Sequence, residues 1–506
     1  MRFVKRVAVI DMGSNSWRLV VFGYEPRTPW WSLVDEIREP VRVSAGMRKE
    51  GAIRPERFEL ALHTAAVFSA FCRASGVNEI EAVATSAIRD AANGPELLER
   101  IKDHTGLEPR VISGVEEARY GSRAIVNSTT IEDGLGLDMG GGSIQPIRIE
   151  QRRMTEAVSL PLGSVRVSED FLPGEKATAK GQKAVRRRAA EELEEISWWG
   201  GGRLVGIGGT IRNLATAAMK RLHLPDIDVQ GFRLTRDAVE ELIEELAARP
   251  ASKRGNVRGI KPDRGDVILG GALVLAGAME AGGFEAIEVT EAGLREGIFF
   301  ERLLGDRELF EDVRTESVEN LAHRFVSDFD HVNHVAALSL QMFDGLAAAG
   351  LHDLGPPERE LLWAACILHD IGTAIDYDDH HRHSHYLILN AGLPGFTPRE
   401  LVLIGLIARY HRKGEPDASE LGDLAEKGDA RRLRLLCAVI RLAEQFERSR
   451  DRSIESVAVA TDNGTVELRP VTDSGGDPSV PVWAARRNAD LLAEAVDRPV
   501  DVTDPA

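Results

Sequence analysis

Over residues 7–300, apolar positions fall in short runs between polar turns; helix-length periods dominate only after that. Val7-Ala8-Val9-Ile10 and Leu19–Phe22 are two such runs. Short apolar runs bounded by turn residues predict buried strands. Between them lies Asp11-Met12-Gly13-Ser14-Asn15-Ser16, a hairpin turn carrying an acid, a glycine and hydroxyls. Residues 56–74 have a helical period. Ala82-Val83-Ala84 reads as a strand that enters a polar turn through Asp90. A short strand at 111–114 follows, and Val115 opens a helix.

The pattern then repeats. The apolar stretch Leu135–Leu137 stops on Asp138, followed by Gly140, Gly141, Gly142, Ser143 and Gln145, with a returning strand at 146–149. Leu204-Val205-Gly206-Ile207-Gly208-Gly209-Thr210 is a third glycine turn, at a strand–helix junction. A last strand at 287–290 passes through Gly293 into a helix. Glycines let backbone N–H groups close on an anion. An acid at a strand end holds a hard cation such as Mg2+, directly or through water. Two copies of strand, acid, glycine and hydroxyl predict two related lobes, 1–127 and 128–305, facing one phosphate chain.

Glu116 and Glu117 open the helix after Ser113-Gly114. Adjacent helical side chains point about 100° apart, so at most one of the two faces a cleft. Arg89 suits either a forked grip on phosphate or a surface ion pair with Asp90.

From residue 306 the period becomes helical, at 317–328, 331–348, 358–368, 399–409 and 430–448, which defines a helical domain over 306–450. Histidines concentrate there. A small α+β tail follows at 451–506: a hairpin around Asp462-Asn463-Gly464 and a helix over 483–496.

Composition narrows the function class. With 506 residues the chain needs several cores. No apolar run spans a membrane, and Met1-Arg2-Phe3-Val4-Lys5-Arg6 leads straight into a strand, so a cytoplasmic enzyme is expected. Cys72, Cys366 and Cys437 sit far apart in apolar surroundings and read as reduced core residues. The net charge of −17 argues against nucleic-acid binding. A polyanionic substrate then needs a local basic channel. The loop run Lys253, Arg254, Arg258, Lys261, Arg264 is the better candidate; Arg186–Arg188 reads as a solvated helix face.

Segments 10–16, 85–89, 112–119, 138–143, 206–212 and 293–297 resemble, in order, the exopolyphosphatase/guanosine pentaphosphate phosphatase family of the actin-like ATPase and sugar kinase superfamily. The resemblance implies an α/β fold of duplicated, ribonuclease H-like lobes, followed by an all-α HD-like domain and the small tail. It implies hydrolysis of the terminal phosphoanhydride of inorganic polyphosphate, or of pppGpp to ppGpp, with Mg2+ or alternatively Mn2+. By this resemblance Glu117 is the general base. Asp138 binds metal and orders the water, and Asp11 is its metal-binding partner. Ser14, Asn15, Arg89, Gly141, Gly142, Ser143, Gly208, Gly209, Thr210 and Arg295 contact phosphate. One position departs: Gln145 stands where the family carries Glu. Related apyrases carry Gln there to orient the attacking water, which implies altered but surviving hydrolysis. The expected partners are the phosphate substrate and a second copy of the chain, with no membrane or nucleic acid. The alternative class is a polyphosphate- or nucleotide-binding sensor without turnover.

In the helical half, Leu368-His369-Asp370-Ile371-Gly372 resembles the metal-binding pair of HD-domain phosphohydrolases. His331, His383 and His411 match further ligands, and Glu444 stands where that family has a late Asp. This implies a second divalent ion.

Overall fold

The computed structural model describes residues 5–26, 30–47, 51–472 and 477–505. Of the basic N-terminal stretch, Met1–Val4 therefore lies outside the described residues. The chain divides into two compact units, residues 1–222 with 229–313, and residues 223–228 with 314–506.

The first unit holds two sheets of matching plan. In the first, β1 (Lys5–Met12) pairs antiparallel with β2 (Trp17–Tyr24), which pairs with β3 (Trp31–Glu39). On its other side β1 runs parallel to β4 (Glu79–Ala84), and β4 to β5 (Arg110–Val111). The second sheet repeats this order with β8 (Arg153–Ala157), β7 (Ile144–Glu150), β6 (Gly134–Met139), β9 (Leu204–Ile207) and β11 (Ala286–Val289), and adds β10 (Phe232–Thr235) at the edge. The duplication seen in the sequence pattern is thus a duplication of sheet topology.

Both faces of the first sheet are covered, which explains why β1 reads as a continuous apolar run. Ala8, Ile10 and Met12 pack under helix α1 (Pro55–Ala74) through Phe58, Ala61 and Phe68. Val7 and Val9 face the other way, toward Ile298, Phe299 and Phe300. The rings of Phe22 and Phe299 stack with centroids 4.3 Å apart. Burying one such side chain contributes about 1.5–3 kcal/mol.

The expected polar turn after Ala84 is instead a five-residue helix, α2 (Ser86–Asp90), which buries Ala87 and Ile88. The expected loop at 253–264 is half helical: Ala251–Arg254 forms a helical turn and Pro262–Arg264 a 3-10 turn. Arg254 is buried with its Nε donating to the Leu246 carbonyl, so it supports the backbone and is not part of a channel. Arg186, Arg187 and Arg188 pair with Glu240, Glu191 and Glu192, a solvated face.

The second unit is helical with a three-stranded sheet, β12 (Ile454–Asp462), β13 (Thr465–Thr472) and β14 (Val500–Val502). Sheet and helices share one core, since Val457, Val466 and Leu468 join the cluster built by Leu338, Leu362, Leu406 and Leu436. The helix expected over 483–496 is two, Ser479–Arg486 and Asp490–Val496. Between them Asn488 Nδ2 donates to the Ala484 carbonyl, a local bond that competes with helix continuation. Cys72, Cys366 and Cys437 are buried and unbridged. Among the described residues no helix is long and apolar enough to cross a membrane.

Candidate active site

Two hairpin turns, Gly13–Ser16 and Gly140–Ser143, meet across a cleft of about 110 Å3 in the first unit. β1 delivers Asp11 to one wall and β6 delivers Asp138 to the other. The third carboxylate comes from α3 (Gly114–Val126). That helix starts on a capping box: Ser113 Oγ accepts from Glu116 N at 3.2 Å, and Glu116 Oε2 accepts from Ser113 N at 2.8 Å. Glu116 is thereby turned outward to Arg110, 2.7 Å away. Glu117, one residue on, points into the cleft and is buried. The spacing rule for adjacent helical acids is met, with Glu117 the inward one. Ser113→Ala removes the cap and should cost about 1 kcal/mol, read as a melting temperature lower by a few degrees; an unchanged melt would refute the role given to Ser113.

The three carboxylates raise one another's proton affinity. Burial, reinforced by the charge of Asp138, lifts Glu117 to about 8. Burial and the Asp11 charge lift Asp138 to about 7. Burial also raises Asp11, against the pull of Arg295. Oε2 of Glu117 has no hydrogen-bond partner, and Arg89 Nη1 stands 3.7 Å from it. An all-carboxylate donor pair such as Asp11 and Asp138 suits a hard cation, Mg2+ or Mn2+, that would offset this crowding of negative charge.

Facing the acids are four arginines: Arg18, Arg212, Arg264 and Arg295. Burial, with Arg295 and Arg212 alongside, pulls Arg18 down to about 9. Burial, with Arg38 and Arg212, pulls Arg264 down to about 10. Glu36 offsets part of this charge, lying 3.0 Å from Arg18 and 3.6 Å from Arg295. Guanidinium groups crowded along one wall favour a bound anion there. Two helix N-termini add to it: α4 (Gly209–Met219) and α5 (Leu294–Leu304) both begin at the cleft wall.

The glycines act by close approach. Gly208, at φ +101°, has its Cα so near that a Cβ would lie 2.5 Å from the Met139 carbonyl oxygen and 3.1 Å from Asp138 Oδ1. At Gly142 a Cβ would meet Ser86 Oγ at 2.3 Å and Ser14 Oγ at 2.9 Å. Ser14 and Ser86 hydroxyls are themselves 3.0 Å apart, and the buried Asn15 Nδ2 has no partner.

Of the residues expected at the site, Asp11, Ser14, Asn15, Glu117, Asp138, Gly141, Gly208, Gly209 and Arg295 line the cleft together. Arg89, Gly142, Ser143, Thr210 and Gln145 are not among the lining residues, though Arg89 Nη1 comes within 3.7 Å of Glu117. Arg89 donates to the Ile112 carbonyl at 2.8 Å. Gln145 is fully buried beside Asp138, its cross-strand neighbour, and Nε2 donates to Ser143 Oγ and Ser159 Oγ. As the residue directly opposite Asp138, Gln145 shares that residue's face of the sheet, and its Oε1 is buried without a partner. The sequence missed Arg18, Ser86 and Thr85. A signal for Arg18 existed, namely a lone cation in an apolar strand, in register opposite Asp11.

In the second unit, His331, His369, Asp370, His411 and Glu444 converge as expected, but His383 does not. His380 takes its place, grouped with Asp370 and His411. The helix His380–Ala391 buries 380, 381, 384 and 388, and 383 lies off that face.

Known proteins share the fold of the first unit. A crystal structure of the Aquifex aeolicus Ppx/GppA family member is 29% identical, covering 59% of this chain and 98% of its own with a TM-score of 0.52. An exopolyphosphatase from Cytophaga hutchinsonii shares the fold at 24% identity and a TM-score of 0.56, over 60% of this chain and 100% of its own. A model of the Ppx/GppA phosphatase family matches residues 24–305, and one of domain III of the Ppx/GppA phosphatases matches 313–471. The two-lobed cleft with its facing acids and arginines is thus carried by a chain that belongs to the Ppx/GppA phosphatase family and is a phosphoanhydride hydrolase.

Proposed function

We propose that the chain releases orthophosphate from the end of inorganic polyphosphate. One observation carries this reading: three crowded carboxylates face four arginines across a cleft walled by small polar groups, and no aromatic ring lines it among the described residues. Successive phosphates match that row of cations, whereas a guanine base finds only Met139 and Leu294 as apolar surface. Hydrolysis of pppGpp is the second reading, which the fused phosphates of its 5′ end favour. A cytoplasmic homodimer belongs to the same proposal.

Ser14, Asn15 and the glycine-turn amides hold the terminal phosphoryl group. Arg18, Arg212, Arg264 and Arg295 neutralise the phosphates behind it. Asp11 and Asp138 would hold a divalent ion, which would supply charge neutralisation at the transferred group. Glu117 accepts the proton of the in-line water, so the barrier falls mainly through positioning and electrostatics. Gln145 keeps Ser143 in place.

Glu117 accepts a proton only when ionised, so phosphate release should rise with pH toward a midpoint near the group's value of about 8. A cation on Asp138 cancels one of the charges that raise Glu117, so added Mg2+ should move that midpoint to lower pH. Phosphate-release assays on long-chain polyphosphate and on pppGpp, across pH at two Mg2+ concentrations, test both points. Faster turnover of pppGpp would overturn the substrate assignment; a midpoint indifferent to Mg2+ would overturn the metal role of Asp138.

A further inference from the structure

Arg42 has φ +52°, in the left-handed region that non-glycine residues rarely adopt. Its backbone N–H donates to the Asn15 carbonyl at 2.9 Å. Two residues on, Ser44 N and Ser44 Oγ both donate to the Ser14 carbonyl, at 3.3 and 3.1 Å. The segment after β3 thus fastens both carbonyls of the Ser14–Asn15 turn, whose two residues line the cleft.

The Arg42 side chain reaches the other lobe. Nη1 donates to Asp266 Oδ2 at 2.8 Å and Nη2 to Asp266 Oδ1 at 3.3 Å, a forked pairing. Nη2 also donates to the Asp263 carbonyl at 2.7 Å. Between these partners in the chain stands Arg264, a cleft residue whose guanidinium packs against Gly209. The same turn is fixed from its own lobe by Lys261 N, which donates to Asn213 Oδ1 at 2.8 Å. An exposed ion pair by itself stabilises little, so its energy does not explain a strained backbone. Strain of this kind persists where surrounding contacts hold it, and it gathers at ligand clamps. Here one residue grips two phosphate-contacting segments, with its backbone on one and its side chain on the other.

We infer that Arg42 is a positioning residue for phosphate chains: it ties the Ser14–Asn15 turn of one lobe to the Arg264 turn of the other and so sets the spacing between the terminal phosphoryl group and the phosphates behind it. The inference rests on the phosphate contacts given above to Asn15 and Arg264. A ligand that touches only the Ser14–Asn15 turn gains nothing from the tie. A chain that spans both turns finds them already spaced, and loses affinity when the tie is cut.

Calorimetric titration of the full chain, with Mg2+ present, compares orthophosphate with an imido-bridged triphosphate that resists hydrolysis. Arg42→Gly keeps the backbone shape and removes only the side-chain bridge. It should weaken triphosphate binding by about three- to tenfold and orthophosphate binding by less than about twofold. Asp266→Asn, which leaves the Arg42 backbone untouched, should give the same pattern and decides the matter if Arg42→Gly does not fold. Arg42→Lys, a point charge without the fork, should lose less than Arg42→Gly. Adding Arg42→Gly to Arg264→Ala should weaken triphosphate binding little further, because the tie acts through the Arg264 turn. Arg42→Ala should melt below Arg42→Gly, since alanine must hold the same left-handed backbone without the bridge. Equal losses for both ligands, an additive double variant, or no triphosphate binding by the wild type would each overturn the inference. No turnover is needed, so a wild type that binds the triphosphate yet does not cleave polyphosphate refutes the substrate assignment and leaves the tie standing.

Discussion

Glu117→Gln will lower kcat for phosphate release by about 10²–10⁴-fold and leave KM nearly unchanged. The amide keeps the shape of the carboxyl group but cannot take a proton, and the substrate is held by other groups, Ser14, Asn15 and the arginines. The same substitution should stabilise the fold. An ionised Glu117 is costly because the folded state holds its proton up to about 8, against 4.5 for an unperturbed glutamate. That cost is absent below pH 4.5, grows as pH rises toward 8, and is full above it. The variant should therefore melt a few degrees above the wild type at pH 8.5 and at the same temperature near pH 4. A kcat within tenfold of the wild type, or a melting advantage that shrinks with rising pH, would remove Glu117 from the role given to it.

Arg264→Ala will raise KM for long-chain polyphosphate by about tenfold to a hundredfold, the worth of one charge-assisted hydrogen bond. Burial and the neighbouring Arg38 and Arg212 strain its charge, which Asp263 and Asp266 offset only in part. A phosphate relieves it. Arg264→Lys should recover part of the loss, as a point charge without the fork. Steady-state kinetics on chains of defined length check this, and an unchanged KM places the phosphates elsewhere.

How much of this was legible in the sequence depended on whether a feature was local. Asp11, Asp138 and the glycine turns announced themselves because a strand end, an acid and a turn are consecutive residues. Glu117 was legible only as one of two adjacent acids at a helix start, with the resemblance choosing between them; the Ser113–Glu116 cap that turns Glu116 away belongs to the folded helix end. Arg18 was not, since its partnership with Asp11 exists only once β1 and β2 are in register. Gln145 was tied to the site only through the resemblance, because its place directly opposite Asp138 is a matter of strand register. His383 matched a family spacing, but the phase of its own helix favoured His380. The second unit's single core was hidden too, because strand Thr465–Thr472 contributes to it across more than a hundred residues of chain.

The crossing of α3 and α5 has a mechanical consequence. At Gly297 the two helices come so close that a Cβ would lie 1.9 Å from the Tyr120 carbonyl oxygen. Ala118, Ile125 and Val126 of α3 belong to the core under the second sheet, while Ile298 and Phe299 of α5 belong to that of the first. Most of each helix is thus held by one sheet, with Tyr120 of α3 reaching into the first sheet's core where the two touch backbone to side-chain-free backbone, the geometry of a pivot. Atoms near a pivot travel least, and Glu117 and Arg295 lie within one turn of it. Opening the jaws for a new polymer end would swing the serine and glycine rims widest and leave the proton acceptor almost where it was.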